Sequence, residues 1–392
     1  MKQGWEIKKL GDVCKVIAGQ SPEGKYYNSE AKGLPFYQGK KEYGEKYIGE
    51  PTIWTTKITK EAEANDILMS VRAPVGPINI STQKICIGRG LAAIRASKLI
   101  DKEFLFNFLI KHENEIIGNA GAVFNSINKA QIEAIKIPCP PLPEQQRIVS
   151  ILDEAFAAIA IAKANAKQNL KNAKEVFESY LQNVFSTKGE GWEEKTLKDL
   201  TTILGDGLHG TPKYTIGGDY YFINGNNLTD GAIEFKESTK RVSIDEYTKH
   251  KKNLTNRTVF VSINGTLGNV AFYNGEKVIL GKSACYFNLK ESVDKNFIRY
   301  VLSSPYFLKY AHKEATGATI KNVSLKTMRD FIVPLPSFKQ QQTIVAKLDA
   351  LSTETKRLEA IYQQKIADLE ELKKSVLQKA FKGELLSSKL SN

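Results

Sequence analysis

Side chains able to take part in chemistry are scattered through this 392-residue chain. The four cysteines, Cys14, Cys86, Cys139 and Cys285, stand alone without CxxC spacing, and with four dispersed histidines they compose no metal site. They read as buried, reduced thiols. GEKVILGKS at 275–283 is close to a phosphate-binding loop, but five residues separate Gly275 from Gly281 where that loop has four, so a strand-edge turn is expected. Ser304-Pro305-Tyr306 is faintly similar to the tetrapeptide that grips a flipped base in amino-methyltransferases, yet it falls late in an expected helix. The best-placed histidine, His209, sits in the Gly-rich turn GDGLHGTPKY beside Asp206 and Thr211. It reads as a hydrogen-bonding loop residue, with a phosphate or base-edge contact as the functional alternative. No catalytic residue is assigned.

What clusters instead is a set of polar, aromatic and basic side chains between strand-like runs. In the first half these are Ser21, Lys25, Tyr26 and Tyr27, then Gln38, Lys40 and Lys41, then Ser70, Arg72 and Arg89. In the second half they are His209, Thr211, Lys213 and Tyr214, then Asn224, Asn226 and Asn227, then Lys240 and Arg241, then Ser262, Asn264 and Thr266. Gln and Asn can pair bidentately with adenine and Arg and Lys with guanine, while Ser, Thr and Lys hold phosphates. Singly, each is an ordinary solvated loop residue. Recurrence at matching places in both halves points to DNA.

The elements that must position these loops come twice. IPCPPLPEQQRIVSILD at 137–153 returns as VPLPSFKQQQTIVAKLD at 333–349, which superposes Gln145-Gln146 on Gln341-Gln342 and Leu152-Asp153 on Leu348-Asp349. Trp5-Glu6 matches Trp192-Glu193, Met69-Ser70-Val71 matches Val261-Ser262-Ile263, Asp101–Leu105 matches Asp294–Ile298, and Gly121-Ala122 matches Gly317-Ala318. The offset grows only in steps, as loop insertions dictate in a duplicated fold. Runs such as AAIRA, RTVFVSI, NVAFY and CYFNL, broken by Gly and Asn, read as strands, and one helix per copy is expected at about 101–116 and 294–312. The class is therefore α+β, with mixed α/β domains over 1–142 and 189–338.

Prolines stop each domain, and stretches with neither Pro nor Gly follow at about 144 to 188 and 340 to 382, giving long helices in the segments 143–188 and 339–392. In the first, Ile148, Leu152, Ala155, Ile159, Ala162 and Ala166 make an apolar seam, continued after a stutter by Leu170, Ala173, Val176 and Tyr180. The second answers with Ile344, Leu348, Leu351, Thr355, Leu358 and Tyr362, then Ile366, Leu369, Leu372 and Val376. Some 40 residues at 1.5 Å rise make a rod of roughly 60 Å, too long to be one domain's core helix. Such a stripe needs a partner, and the two helices are expected to pair with each other as an antiparallel coiled coil, the two copies being related by an approximate twofold.

Composition sets the class of partner. The chain is 42% hydrophobic and 25% charged, and its 56 Lys and Arg against 43 Asp and Glu leave +13. The surplus sits mainly in the two domains, +5 over 1–143 and +4 over 189–338. Such an excess favours a polyanion. No apolar run reaches the roughly 18 residues of a membrane span, and MKQGWEIKKL has no apolar signal core, so a cytoplasmic location and no membrane contact are expected.

Taken together, Trp-Glu followed by a KLGDV-like stretch, AGQSPEGKYYN and GDGLHGTPKY, DILMSVRAPVG with IGRGLAAIRA, the proline-rich lead into QQRIV and QQTIV, and the closing LKKSVLQKAFKGEL resemble the specificity subunits of Type I restriction-modification systems. The resemblance runs over nearly the whole chain. It implies two target recognition domains, each reading one half of a bipartite, asymmetric DNA target, and two helices that set the spacer and dock the subunits. It further implies a non-catalytic chain on which two methyltransferase subunits and then the restriction (translocase-nuclease) subunits assemble. S-adenosylmethionine, ATP and Mg2+ would belong to those partners, in a complex that methylates adenine and cuts DNA at the expense of ATP. Two rivals make different forecasts. A nuclease or methyltransferase would act alone, and a coiled-coil adaptor would bind long duplex without regard to sequence.

Overall fold

Short runs of branched and aromatic residues become the strands of both copies, and the Gly and Asn between them become turns. The computed structural model describes residues 4–118, 126–317 and 320–385, and the side chains of all of these except 114–118. The matched pair Gly121-Ala122 and Gly317-Ala318, and residues 386–392 of the last segment, thus fall wholly or partly outside the described residues. The chain divides into two units, residues 1–166 with 364–392, and residues 167–363.

In the first unit Cys14–Ala18, Leu91–Ala96, Ile67–Ser70 and Ile78–Ile80 form an antiparallel sheet in that order. A second, mixed sheet pairs Leu34–Tyr37 in parallel with Ile85–Ile87. Glu6–Lys9 runs antiparallel to Lys136–Cys139, joining the start of the domain to the strand that leads into the prolines. The helix Lys102–Gly118 buries Phe104, Leu105, Phe108 and Leu109 in the core.

The second unit repeats this plan. Thr201–Asp206, Ala284–Leu289, Thr258–Ser262 and Val270–Phe272 are antiparallel in the same order, Tyr220–Ile223 is parallel to Val278–Leu280, and Glu193–Thr196 pairs with Ile332–Leu335. One expectation is corrected here: instead of a single helix over 294–312 there are two, Lys295–Ser303 and Pro305–Glu314. Pro305 has no amide proton to continue the first helix, and Ser304 caps the second by accepting from the Phe307 N–H at 3.4 Å. Ser304 is fully buried in this role, which removes it as a base grip.

The repeated glutamine has a structural explanation in each unit. Gln145 is fully buried; its Oε1 accepts from the Asp101 N–H at 2.7 Å, and its Nε2 donates to the carbonyls of Leu99 at 3.2 Å and Pro140 at 2.8 Å. Gln341 does the same with the Asp294 N–H at 2.8 Å and the carbonyls of Ser292 at 3.3 Å and Pro336 at 3.0 Å. One amide thus ties the first turn of each long helix to the N-terminus of the domain helix. The amide itself is buried and the Pro140 and Pro336 bonds are fully enclosed, while the others are part-buried.

The long helices are Leu142–Thr187 and Phe338–Lys382. In the first unit Lys163 pairs with Glu370 and the Lys373 ammonium lies 5.1 Å from the Phe156 ring centre, so numbers rise along one helix as they fall along the other. Ile148 and Leu152 share a core with Leu377, Ala380 and Phe381, whose ring meets Phe104 at 5.0 Å and Phe108 at 5.5 Å. In the second unit Lys174 reaches Glu359 at 4.0 Å, Leu181 and Phe185 share a core with Val345 and Leu348, and Phe185 meets Phe297 at 5.6 Å. Within each unit the pairing is antiparallel. The anchoring residues repeat in sequence as LQNVF at 181–185 and LQKAF at 377–381, a signal that the heptad reading passed over.

The seam itself drifts from the expected one. Ile148, Leu152 and Ile159 are buried, and Leu170, Ile344, Leu351, Ile366 and Leu369 are half-buried, with Leu348 fully buried. Val176 and Tyr180, however, are exposed at 52% and 38%, and Phe177 and Leu181 point inward in their place. On the second helix Leu358 and Leu372 are exposed at 40% and 48%. A straight helix gains about 20° per heptad over a strict 3.5-residue repeat, enough to hand the seam to the next residue after a few turns.

Candidate DNA interface

In the first unit the loops that carry the candidate residues are laced to one another by backbone hydrogen bonds. Gly19 N–H donates to the Leu91 carbonyl at 2.9 Å, Gln20 N–H to Ile87 at 2.9 Å, Gly88 N–H to Tyr37 at 2.8 Å, Gly90 N–H to Gln38 at 3.1 Å and Val71 N–H to Gly90 at 2.9 Å. Five strand ends therefore open on one edge. There the Ser21 hydroxyl donates to Gln38 Oε1 at 2.8 Å and accepts from the Arg89 N–H at 3.1 Å. Lys40 and Lys41 begin the short helical turn Lys40–Glu42, and both are exposed, as are Arg72 and Arg89. Burial pushes the Glu113 carboxyl up, and the nearby Lys40 ammonium opposes the shift. Lys25 lies in the turn Gly24–Tyr26, its ammonium 5.2 Å from the Tyr26 ring centre and 2.8 Å from Glu23. Tyr27 stacks on Phe36 at 4.8 Å; burial raises its phenol, and Arg89 pulls the other way.

The second unit repeats the lacing. Leu208 N–H donates to Leu280 at 2.7 Å, Lys282 N–H to Leu208 at 3.0 Å, Gly281 N–H to Ile223 at 2.8 Å and Ile263 N–H to Ser283 at 3.0 Å. The Ser283 hydroxyl accepts from the Gly225 N–H at 2.9 Å and donates to Asn224 Oδ1 at 3.1 Å. His209 is exposed and its Nε2 is 2.6 Å from Asp206 Oδ2. Thr211, Lys213, Asn226 and Thr266 are exposed; Asn264 is half-buried and donates to Asn322 Oδ1 at 3.1 Å. Lys240 lies 5.9 Å from the ring centre of Tyr214, and Arg241 lies 4.8 Å over Tyr221 while donating to the Gly218 carbonyl at 3.4 Å.

Three expected contacts turn out to be internal. Ser70 is 3% exposed and its hydroxyl bonds the carbonyls of Arg72 and Pro74; Ser262 is 1% exposed and accepts from the Asn269 N–H at 2.9 Å. Both serines staple the same hairpin, so their recurrence records packing and leaves no hydroxyl for a phosphate. Asn227 is 5% exposed and donates to the Glu234 carbonyl at 3.0 Å and Thr239 Oγ1 at 3.2 Å, closing its own loop. Conversely, exposed Lys282 belongs to the edge and was overlooked. The signal was present, since LGKS aligns with IGRG and sets Lys282 on Arg89.

Both edges thus offer cations and amide groups on loops held by sheet ends, with different side chains at equivalent places. That combination, duplicated, is what a reader of two unlike DNA segments requires. Comparison with known proteins gives the family. The family profile described as the Type I restriction modification DNA specificity domain matches residues 2–172 and again 189–370. The chain belongs to this family and carries its domain twice.

Among its relatives is a protein described as the putative type I restriction enzyme MjaX specificity subunit of Methanocaldococcus jannaschii, 45% identical over 177 residues that cover 44% of this chain and 41% of that protein. The MjaVIII specificity subunit of the same organism is 24% identical over 404 residues, covering 98% of this chain and 93% of the other. A chain solved in work on complex assembly and conformational transition of the type I R-M system has the same fold, with a TM-score of 0.78 at 19% identity, over 98% of this chain and 99% of that one. Among the described residues no helix is long and apolar enough to cross a membrane.

Proposed function

We propose that this chain is the DNA-reading subunit of a Type I restriction-modification complex, each of its two domains reading one half of an interrupted, asymmetric target. The observation that carries this reading is the pair of equivalent loop edges with unlike side chains: Gln38, Lys40, Lys41 and Arg89 on one, Asn224, Asn226 and Lys282 on the other. The same frame with different readers favours two different half-sites. The antiparallel helices fix how many base pairs go unread and provide the surface on which methyltransferase subunits dock. The family's role is specificity, non-catalytic in general, and adenine methylation and ATP-dependent cleavage fall to partner subunits that bring S-adenosylmethionine, ATP and Mg2+.

Selection of the full chain against a pool of random duplexes, together with a map of methylated adenines in cells that express it, tests the reading. One interrupted sequence with unlike halves is the expected result. Equal retention of all duplexes would leave only an adaptor that binds DNA indiscriminately. DNA cut or methylated by the purified chain alone, given Mg2+ and methyl donor, would make it an enzyme instead.

A further inference from the structure

The two edges share a device that the sequence conceals. The inner strand of the mixed sheet ends in Phe-x and leads directly into amide-Gly, Phe36 to Gly39 in one unit and Phe222 to Gly225 in the other. In both, the amide oxygen is turned into the protein. Ser21 supplies the hydroxyl that holds it in the first unit, and Ser283, from a different loop, supplies it in the second. In each case the serine oxygen already accepts a backbone N–H, from Arg89 or Gly225, which leaves its proton for the amide oxygen. A glycine at the end of the parallel partner strand presses from the other side. A Cβ at Gly88 would stand 2.6 Å from Gln38 Oε1 and 3.0 Å from the Phe36 ring, and one at Gly281 would stand 2.1 Å from Asn224 Oδ1 and 2.8 Å from the Phe222 ring. The amide nitrogens of Gln38 and Asn224 have no hydrogen-bond partner among the described residues.

We propose that Gln38 and Asn224 are specificity-determining residues that read DNA as donors aimed at the O6/O4 position, each favouring a keto base, guanine or thymine, at one position of its half-site. The proposal rests on the DNA-reading function given above. Bidentate recognition of adenine needs the amide oxygen to accept from the adenine N6 amino group while the nitrogen donates to N7. With the oxygen turned toward the serine and the glycine behind it, the nitrogen is the half of that pattern left facing away from them. Guanine O6 and thymine O4 accept such a donor, whereas the amino groups of adenine and cytosine oppose it; N7 accepts equally from both purines, so the discrimination belongs to the O6/O4 position. Arg89 and Lys282, which occupy equivalent turns beside these amides, supply the charge that brings the backbone close.

The serines are then positioning residues, and their removal has a signature that loss of folding does not imitate. Ser21→Ala frees the Gln38 amide to turn over. Selection of the full-length variant from a random duplex pool is expected to show tolerance of adenine or cytosine rising about fivefold at one position of one half-site, the low end for a base contact. The other half-site and the spacer stay as they were. Ser283→Ala is expected to do the same in the opposite half, and Gln38→Leu to abolish preference at the Ser21-sensitive position. Thermal melting alongside confirms that each variant is folded. If the wild-type chain selects an interrupted site but both serine variants keep every base preference, or if the sensitive position holds adenine or cytosine in the wild type, the donor assignment is overturned while the DNA-reading function stands. If the wild-type chain selects no sequence at all, the function itself fails and this assignment with it.

Discussion

Gln145 and Gln341 show how one side chain can fix an element. Each buried amide satisfies two carbonyls and an N–H, of which the Pro140 or Pro336 carbonyl is enclosed, so an apolar replacement leaves a buried polar backbone group without its partner. Gln341→Leu is expected to destabilise the chain by about 1–3 kcal/mol, read as a lowered urea midpoint. An unchanged midpoint would mean that water replaces the amide. The thiols give a second check at this scale. Burial, aided by the neighbouring Cys139, pushes Cys14 up to about 12, and burial also raises Cys285 and Cys139. At pH 8 these groups stay protonated and enclosed, so the native chain is expected to resist iodoacetamide and to take up four equivalents after denaturation. Rapid labelling of the folded chain would contradict the packing around Cys14 and Cys285.

Among the elements, the long helices hold where their apolar residues reach a domain core. Leu348 is fully buried with Phe185 and Leu181, and Leu348→Ala is expected to cost about 2–5 kcal/mol. Leu358, in the same expected seam but 40% exposed, should cost under about 0.5 kcal/mol on the same change. Equal losses measured by denaturant melting would restore the strict heptad. The exposed Val176 and Tyr180 lie on the outward face of the first helix, beside Asn172 and Asn183.

For the whole molecule, the proposed reading predicts a steep dependence on salt. The domains carry most of the basic surplus, and each phosphate neutralised lowers log affinity by about 0.9 per decade of salt concentration. Arg89→Ala and Lys282→Ala should each flatten that slope by about one unit without moving the spacer. Matched deletions in the two helices should do the converse, altering the spacer and leaving both half-sites intact. A spacer indifferent to helix length, measured by methylated-adenine mapping, would take the measuring role away from the helices.

The duplication, the α+β class, the long helices and the nature of the partner were legible in the chain itself, because periodicity, proline stops and repeated motifs are local and survive in one dimension. Gln145 and Gln341 were visible as matched letters. Their use as clamps was not, since Leu99 and Asp101 lie more than 40 residues from Gln145. Ser70 and Ser262 recurred for the sake of a hairpin, which shows that repetition records packing as readily as binding. The handover from Val176 to Phe177 arises from helical drift accumulated over turns, which a heptad count does not carry. Most of all, the direction of each reading amide depends on a serine 17 residues before Gln38 in one copy and 59 residues after Asn224 in the other. The order of residues decided which groups are present, and the folded chain decided which atom of each faces outward, because that choice belongs to neighbours brought together only by the sheets.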